Sequence, residues 1–151
     1  MMFVADEMLG KLARWMRVLG YDTIYRIDIG DNNLVSLALQ ERRIILTRDT
    51  RMVACRYMPR YVLVKSDEYK EQLHEVITVL ALIPSPVLFF SRCLLCNTRI
   101  EPVDKKSIAL KVPTYVYDNH EHFYYCPRCN KVYWQGTHIE HIRKTLKEML
   151  G

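Results

Sequence analysis

The chain has 151 residues, 50% hydrophobic and 26% charged, which excludes a disordered protein and suits one ordinary domain or two small ones. Its formal net charge of +5 is compatible with a nucleic-acid partner and equally with plain solubility. No run approaches the roughly 18 apolar residues of a membrane span, and the opening MMFVADEMLG has an acidic pair where a signal peptide is basic and then apolar, so a cytoplasmic protein without a membrane partner is expected.

The first half alternates between two hydrophobic periods. Met2–Ala5 is an apolar run of strand length, and Asp6 can cap the helix that follows, with Leu9, Leu12, Met16 and Leu19 on one face. Gly20 ends that helix. Residues 23–27 read as a strand, and Asp31 opens a helix with Leu34, Leu37 and Ala38 inward. Residues 43–47 (RIILT) form a strand, 50–57 a short helix, 61–65 (YVLVK) a strand and 69–82 a helix. Strands separated by helices imply right-handed crossovers and a parallel sheet with helices on both faces.

Pro84 and Pro86 break this pattern, and a domain boundary is expected there, giving domains 1–88 and 89–151. The first holds 12 Lys+Arg against 11 Asp+Glu; the second holds 10 against 6 and four of the five histidines, and is the basic part. Within it, residues 108–112, 114–117, 122–125 and 132–134 read as short strands. A last helix begins at Thr137, where Thr137 and Glu140 make a capping box, and carries Ile139, Ile142, Leu146 and Met149 on one face. That apolar face can serve a homodimer or pack back on the first domain.

The cysteines have metal-ligand spacing. Cys93-x-x-Cys96 and Cys126-x-x-Cys129, 29 residues apart, supply four thiolates to one tetrahedral zinc ion. Asn97 and Asn130 follow the two pairs, and Asn is the commonest non-glycine residue in the left-handed conformation that knuckle turns use. Four thiolates leave no position for water, so this zinc is structural. In a reducing compartment such spacing points to metal rather than disulfides. His120, His122, His138 and His141 are competing ligands better placed at the surface or on the last helix. Cys55 stands alone in an apparent helix as a packing residue.

Three aspartates occupy matching addresses. Asp6 follows the first strand, Asp31 opens the second helix and Asp49 follows the RIILT strand. In an open parallel sheet the carboxyl ends of the strands line the ligand crevice. If the first and third strands are neighbours, Asp6 and Asp49 face each other there. Grouped carboxylates repel unless a hard cation such as Mg²⁺ or Mn²⁺ neutralises them, and such a site activates water and shields phosphate charge. Helix capping explains Asp6 and Asp31 without any metal. Glu7 and Asp28 are nearby acids that can assist, and Asp67 reads as a helix cap. Lys11, Arg14 and Arg17 recur every three residues, and Arg48 and Arg51 flank Asp49; these suit a phosphate backbone or a solvated surface.

Together these strings resemble a known family. FVADEMLGKLARWMRVLGYDT, then DNNLVSLALQERRIILTRD from Asp31 to Asp49, then RCLLCN and YYCPRCNKVYWQGTH are similar to the Mut-seven C-terminal RNase domain family, over roughly residues 3 to 141. The resemblance implies a PIN-like nuclease domain fused to a small β-rich zinc ribbon with a C-terminal helix. It implies a metal-dependent ribonuclease, with catalytic acids at Asp6, Asp31 and Asp49 holding Mg²⁺ or Mn²⁺. PIN-like sites often use a fourth acid after the third, whereas here no acid follows Asp49 until Asp67. Thr47 takes the position that hydrogen-bonds a carboxylate or phosphate. Tyr115, Tyr117, Tyr124, Tyr125, Tyr133 and Trp134 either stack on RNA or pack around the zinc site. Beside the ribonuclease stand three other readings of the fold: a non-catalytic RNA- or ribosome-binding protein, a protein-interaction module in an RNA-processing complex, and a DNA-directed nuclease that differs only in substrate.

Overall fold

The structure, a computed structural model, describes all 151 residues. Contacts divide the chain into two units, Met1–Asn97 and Thr98–Gly151. The division falls beyond the boundary expected at Leu88, because residues 92–97 hydrogen-bond to the first unit.

In the first unit, β1 (Met2–Ala5), β2 (Asp22–Tyr25), β3 (Ile44–Thr47) and β4 (Tyr61–Leu63) form one sheet in the order β2-β1-β3-β4, every pair parallel. The crossover from β1 to β2 runs one way across the sheet and that from β2 to β3 runs back. Right-handed crossovers therefore put α1 (Gly10–Val18) and α2 (Asp31–Glu41) on opposite faces. Packing agrees with this. Val4 and Ile45, partners in register, cluster with Leu34 and Ala38 of α2 and Met52 of α3 (Thr50–Val53). Phe3, Ala5 and Leu46 alternate to the other face and are fully buried, while α1 packs on β1, β2 and α4 (Tyr69–Val79). No helix is long and apolar enough to cross a membrane.

Gly20 closes α1 as the sequence suggests. Its φ is +88°, and Gly20 N donates to Arg17 O while Tyr21 N donates to Met16 O, the paired bonds of a Schellman motif. A Cβ there would lie 2.3 Å from the Leu88 carbonyl oxygen.

The second unit holds β5 (Glu101–Val103), β6 (Phe123–Tyr125) and β7 (Val132–Trp134) in an antiparallel sheet, with α5 (Thr114–Asn119) and α6 (Thr137–Leu150). Ile108, Val116, Phe123 and Val132 form its core. Three expectations fail here. Residues 114–117 read as a strand from their aromatic and β-branched content but are helical, opened by Pro113 and burying Val116. Residues 108–112 are not a strand; Lys105–Ile108 is a 3-10 turn, and the third strand is β5, disguised by Pro102, which an edge position tolerates. Thr137 is not a cap, since Gly136 occupies that position without a side-chain bond.

Gly20→Ala is expected to lower unfolding free energy by more than about 1 kcal/mol, the ordinary penalty at an incompatible backbone position, because overlap with Leu88 adds to backbone strain. Urea titration measures this, and an unchanged midpoint would show that the close approach is not required.

Candidate functional site

The sheet order makes β1 and β3 neighbours whose following loops diverge, which opens a crevice at their carboxyl ends. Asp6, Asp31 and Asp49 all line this crevice of about 320 Å³, with Glu7, Arg48 and Arg51 beside them.

Each carboxylate is held differently. Asp6 is buried; its Oδ1 accepts from Met8 N at 2.9 Å, capping a 3-10 turn, and its Oδ2 accepts from Thr47 Oγ1 at 2.6 Å. Thr47 is fully buried and its hydroxyl also accepts from Asp49 N at 3.0 Å. One side chain thereby fixes both acids. Asp49 caps α3, its Oδ1 accepting from Arg51 N at 2.8 Å and Met52 N at 3.3 Å. Asp31 is exposed and is the first residue of α2, not its cap; Gly30 precedes it at φ +71°. Capping thus accounts for Asp6 and Asp49 and leaves Asp31 without that structural role.

The three carboxylates share a crevice without closing into a cage, since the one group of three or more metal-ligating residues whose ligand atoms are gathered closely enough is the cysteine cluster. An open acidic crevice fits a hydrated hard cation, for Mg²⁺ keeps several waters and is usually held by one or two carboxylates.

The cationic residues separate on inspection. Arg48 and Arg51 line the crevice, and Arg48 pairs with Asp67. Asp67 is consequently an ion-pair partner rather than the cap of α4, which Glu68 precedes without a side-chain bond. Lys11 and Arg14 are exposed on α1, with Lys11 Nζ 5.8 Å from the Tyr69 ring centre. Arg17 is not part of an exposed stripe. It is buried, and donates to Thr23 O (2.9 Å), Leu94 O (2.9 Å) and Leu95 O (3.2 Å). Burial lowers its pKa, against support from Cys93, Cys96 and Asp22.

The four cysteine sulfurs lie within 4.8 Å of one another, close enough to hold a metal ion such as zinc. Both knuckle asparagines adopt positive φ, Asn97 at 72° and Asn130 at 57°. Asn97 N donates to Cys93 O and Asn130 N to Cys126 O, each at 2.9 Å, while Cys129 N points at Cys126 Sγ, 3.3 Å away. Thiolates in such turns suit zinc by both softness and geometry.

Sequence reasoning missed how the first knuckle is fastened. Asn97 Oδ1 accepts from Thr23 N at 2.9 Å, and its Nδ2 donates to Asp22 Oδ1 at 2.8 Å. Arg92 donates to Gly20 O and Asn97 O. Asp22 also pairs with Arg43 at 2.6 Å. Burial opposes the Asp22 charge, but hydrogen bonds from Arg43 and Asn97 and the charges of Arg43 and Arg92 outweigh it, holding its pKa below the ordinary value. No pattern in the sequence links positions 75 or more residues apart.

A family model described as Mut7-C RNAse domain matches residues 1–146. No curated protein and no solved structure matches the chain.

Two outcomes follow from the knuckle. Arg17→Met is expected to weaken zinc retention about 10- to 100-fold, the usual effect of losing a group that orients metal ligands, measured by chelator competition. Equal retention would assign Arg17 to packing alone. Asp22→Asn is expected to lower stability by about 1–3 kcal/mol at neutral pH. Because the folded pKa of Asp22 is depressed, its contribution is present above the unfolded value near 3.9 and fades as pH falls through the folded one. The gap between wild type and variant should therefore narrow in acid, which denaturation at stepped pH measures.

Proposed function

The chain belongs to the Mut7-C RNAse domain family, and from that premise we propose that it is a metal-dependent ribonuclease, a PIN-like domain with a zinc ribbon, that hydrolyses RNA phosphodiester bonds in the acidic crevice. The observation that carries this reading is the convergence of Asp6, Asp31 and Asp49 on one crevice at the carboxyl ends of β1 and β3, with Arg48 and Arg51 at its wall. Acids and cations side by side are what a phosphodiester needs: one set holds a hard cation, the other meets phosphate.

In this reading Asp6 and Asp49 ligate Mg²⁺ or Mn²⁺ directly, and Asp31 ligates or orients water. When bound, the cation supplies activation of water and neutralisation of phosphate charge. The remaining work belongs to the protein. Thr47 donates a hydrogen bond from its hydroxyl to Asp6 Oδ2, so that carboxylate stays oriented, and accepts one from the Asp49 backbone. Arg51 is exposed at the crevice and receives the phosphate backbone, and Arg48 can exchange its exposed partner Asp67 for a phosphate oxygen. Glu7, which lines the same crevice, is a better-placed fourth acid than Asp67, which is occupied by Arg48.

The cysteine-bearing part contributes an RNA-binding surface. Tyr117, Tyr125 and Trp134 pack against its core, which answers for them as structure. Tyr124 and Tyr133 are cross-strand partners on the opposite sheet face, Lys131 lies 5.4 Å from the Tyr133 ring centre, and Tyr115 is 71% exposed. These three are the aromatics suited to stack on bases. Cysteines kept as thiolates accord with a cytoplasmic setting.

The test is incubation of the purified protein with labelled single-stranded and structured RNAs in Mn²⁺, Mg²⁺ or EDTA. Wild type is expected to cleave only with metal, and the Asp6→Asn/Asp49→Asn double variant to lose at least about 100-fold in rate, in keeping with the electrostatic stabilisation removed. Equal cleavage by both proteins would sink the site. Salt-sensitive RNA binding by both, with cleavage by neither, would instead favour the non-catalytic RNA-binding reading.

A further inference from the structure

Beside the acidic crevice lies a second cavity, of about 570 Å³, and Ile29 lines both. Its walls are the loop that follows β2 and one face of α2, where Asn33, Ser36, Leu37 and Gln40 recur at helical spacing. The adjoining face of α2 does the folding work, with Leu34 and Ala38 in the core and Leu37 packed against it. Asn33, Ser36 and Gln40 are exposed, and their side chains make no hydrogen bond to the rest of the chain.

The two cavities differ in chemistry. The crevice wall carries Arg48 and Arg51 among carboxylates, groups that address phosphate and its counter-ions. In the second cavity Arg26 and Asp28 offset each other, and what remains is amide, hydroxyl and aliphatic. Amides present a donor and an acceptor side by side, which is the complement of a base edge and a poor match for a phosphate. Ile27, 65% exposed, adds an apolar surface to the lining. At this volume the cavity falls within the roughly 300–1,000 Å³ usual for small-molecule sites.

We propose that this cavity is a base-recognition subsite: it receives the nucleobase next to the phosphate held in the acidic crevice, with Asn33 and Gln40 reading the base edge. The inference rests on the ribonuclease reading and gives it a sequence preference. Ile29, common to both cavities, makes them adjoining, as a phosphate and its neighbouring base are.

The experiment measures binding of labelled RNA pentanucleotides of A, C, G or U to the full chain, without added Mg²⁺ or Mn²⁺ and without chelator so that the cysteine site keeps its ion, by fluorescence anisotropy across a salt series. The Asn33→Ala/Gln40→Ala variant is compared with Arg48→Ala/Arg51→Ala. Alanine is the best helix former and both amides are on the surface, so the first variant keeps its fold, which circular dichroism verifies. Wild type is expected to prefer one base by about tenfold or more, and the amide variant to bind all four within about twofold, as loss of a bidentate base contact would give. The arginine variant is expected to keep the preference while its salt dependence becomes shallower. A preference that survives in the amide variant, or is absent from wild type that nonetheless cleaves RNA in Mn²⁺, overturns the base subsite and leaves the ribonuclease reading standing. Failure of wild type to bind any pentanucleotide at low salt, together with no cleavage, overturns both.

Discussion

The Thr47 hydroxyl donates to Asp6 Oδ2 and accepts from Asp49 N, and the acidic crevice is organised around that pair of bonds. A hydroxyl can do both at once because it carries a proton and two lone pairs. The bonds require β1 and β3 to be parallel neighbours, which the register Phe3↔Ile44, Val4↔Ile45 and Ala5↔Leu46 provides. Asp6 N adds a bond of 2.9 Å to Leu46 O one step beyond the last pair. The first acid is thus joined to the sheet by its backbone and to the third acid through Thr47. Substituting valine would keep the shape and strand propensity of the position while leaving a buried carboxylate oxygen and the Asp49 amide unpartnered.

A second polar network lies on the β2 side of the sheet and answers a different need. Charges placed where water is scarce are tolerated only when their hydrogen-bonding capacity is filled. Arg17 places three of its five N–H groups on backbone carbonyls, and Asp22 Oδ1 accepts from both Arg43 and Asn97. No buried side-chain nitrogen or oxygen in the chain lacks a partner. Two of the Arg17 acceptors are the residues between Cys93 and Cys96, so the cation that ties the knuckle down also places positive charge near the two thiols. A tetrathiolate around a divalent ion carries net negative charge, and a neighbouring guanidinium offsets it. That gives a buried arginine in the last turn of α1 a reason to exist.

Much of this could be read from sequence, for physical reasons that differ by region. The strand–helix alternation of residues 1–82 was legible because each element shows its own period and its stop, as Gly20 does for α1. That Asp6 and Asp49 share a crevice was legible because each follows one of two strands that pair in a parallel sheet. Asn97 and Asn130 were found because few other residues tolerate positive φ. The second unit resisted because its core is small. Residues 114–117 have strand-forming side chains, but a single buried position, Val116, and the bend at Pro113 decide in favour of a helix. Arg17 misled for the opposite reason: its spacing from Lys11 and Arg14 suggested a surface stripe, and only tertiary packing turns it inward. Contacts between β2 and the knuckle leave no trace in local pattern.

The two candidate metal sites also divide the chemistry between them. Thiolates gathered within 4.8 Å favour a soft or borderline ion and leave no place for water, so a metal there holds structure and performs no reaction. Carboxylates spread around an open crevice favour a hard ion that keeps part of its hydration, and that retained water is what hydrolysis requires. Exchange of roles is disfavoured from both sides, since Mg²⁺ binds thiolates poorly and zinc finds four better ligands in the cysteines. On the proposed reading, this separation would let one chain carry a permanent scaffold ion and an exchangeable reactive one without confusion between them.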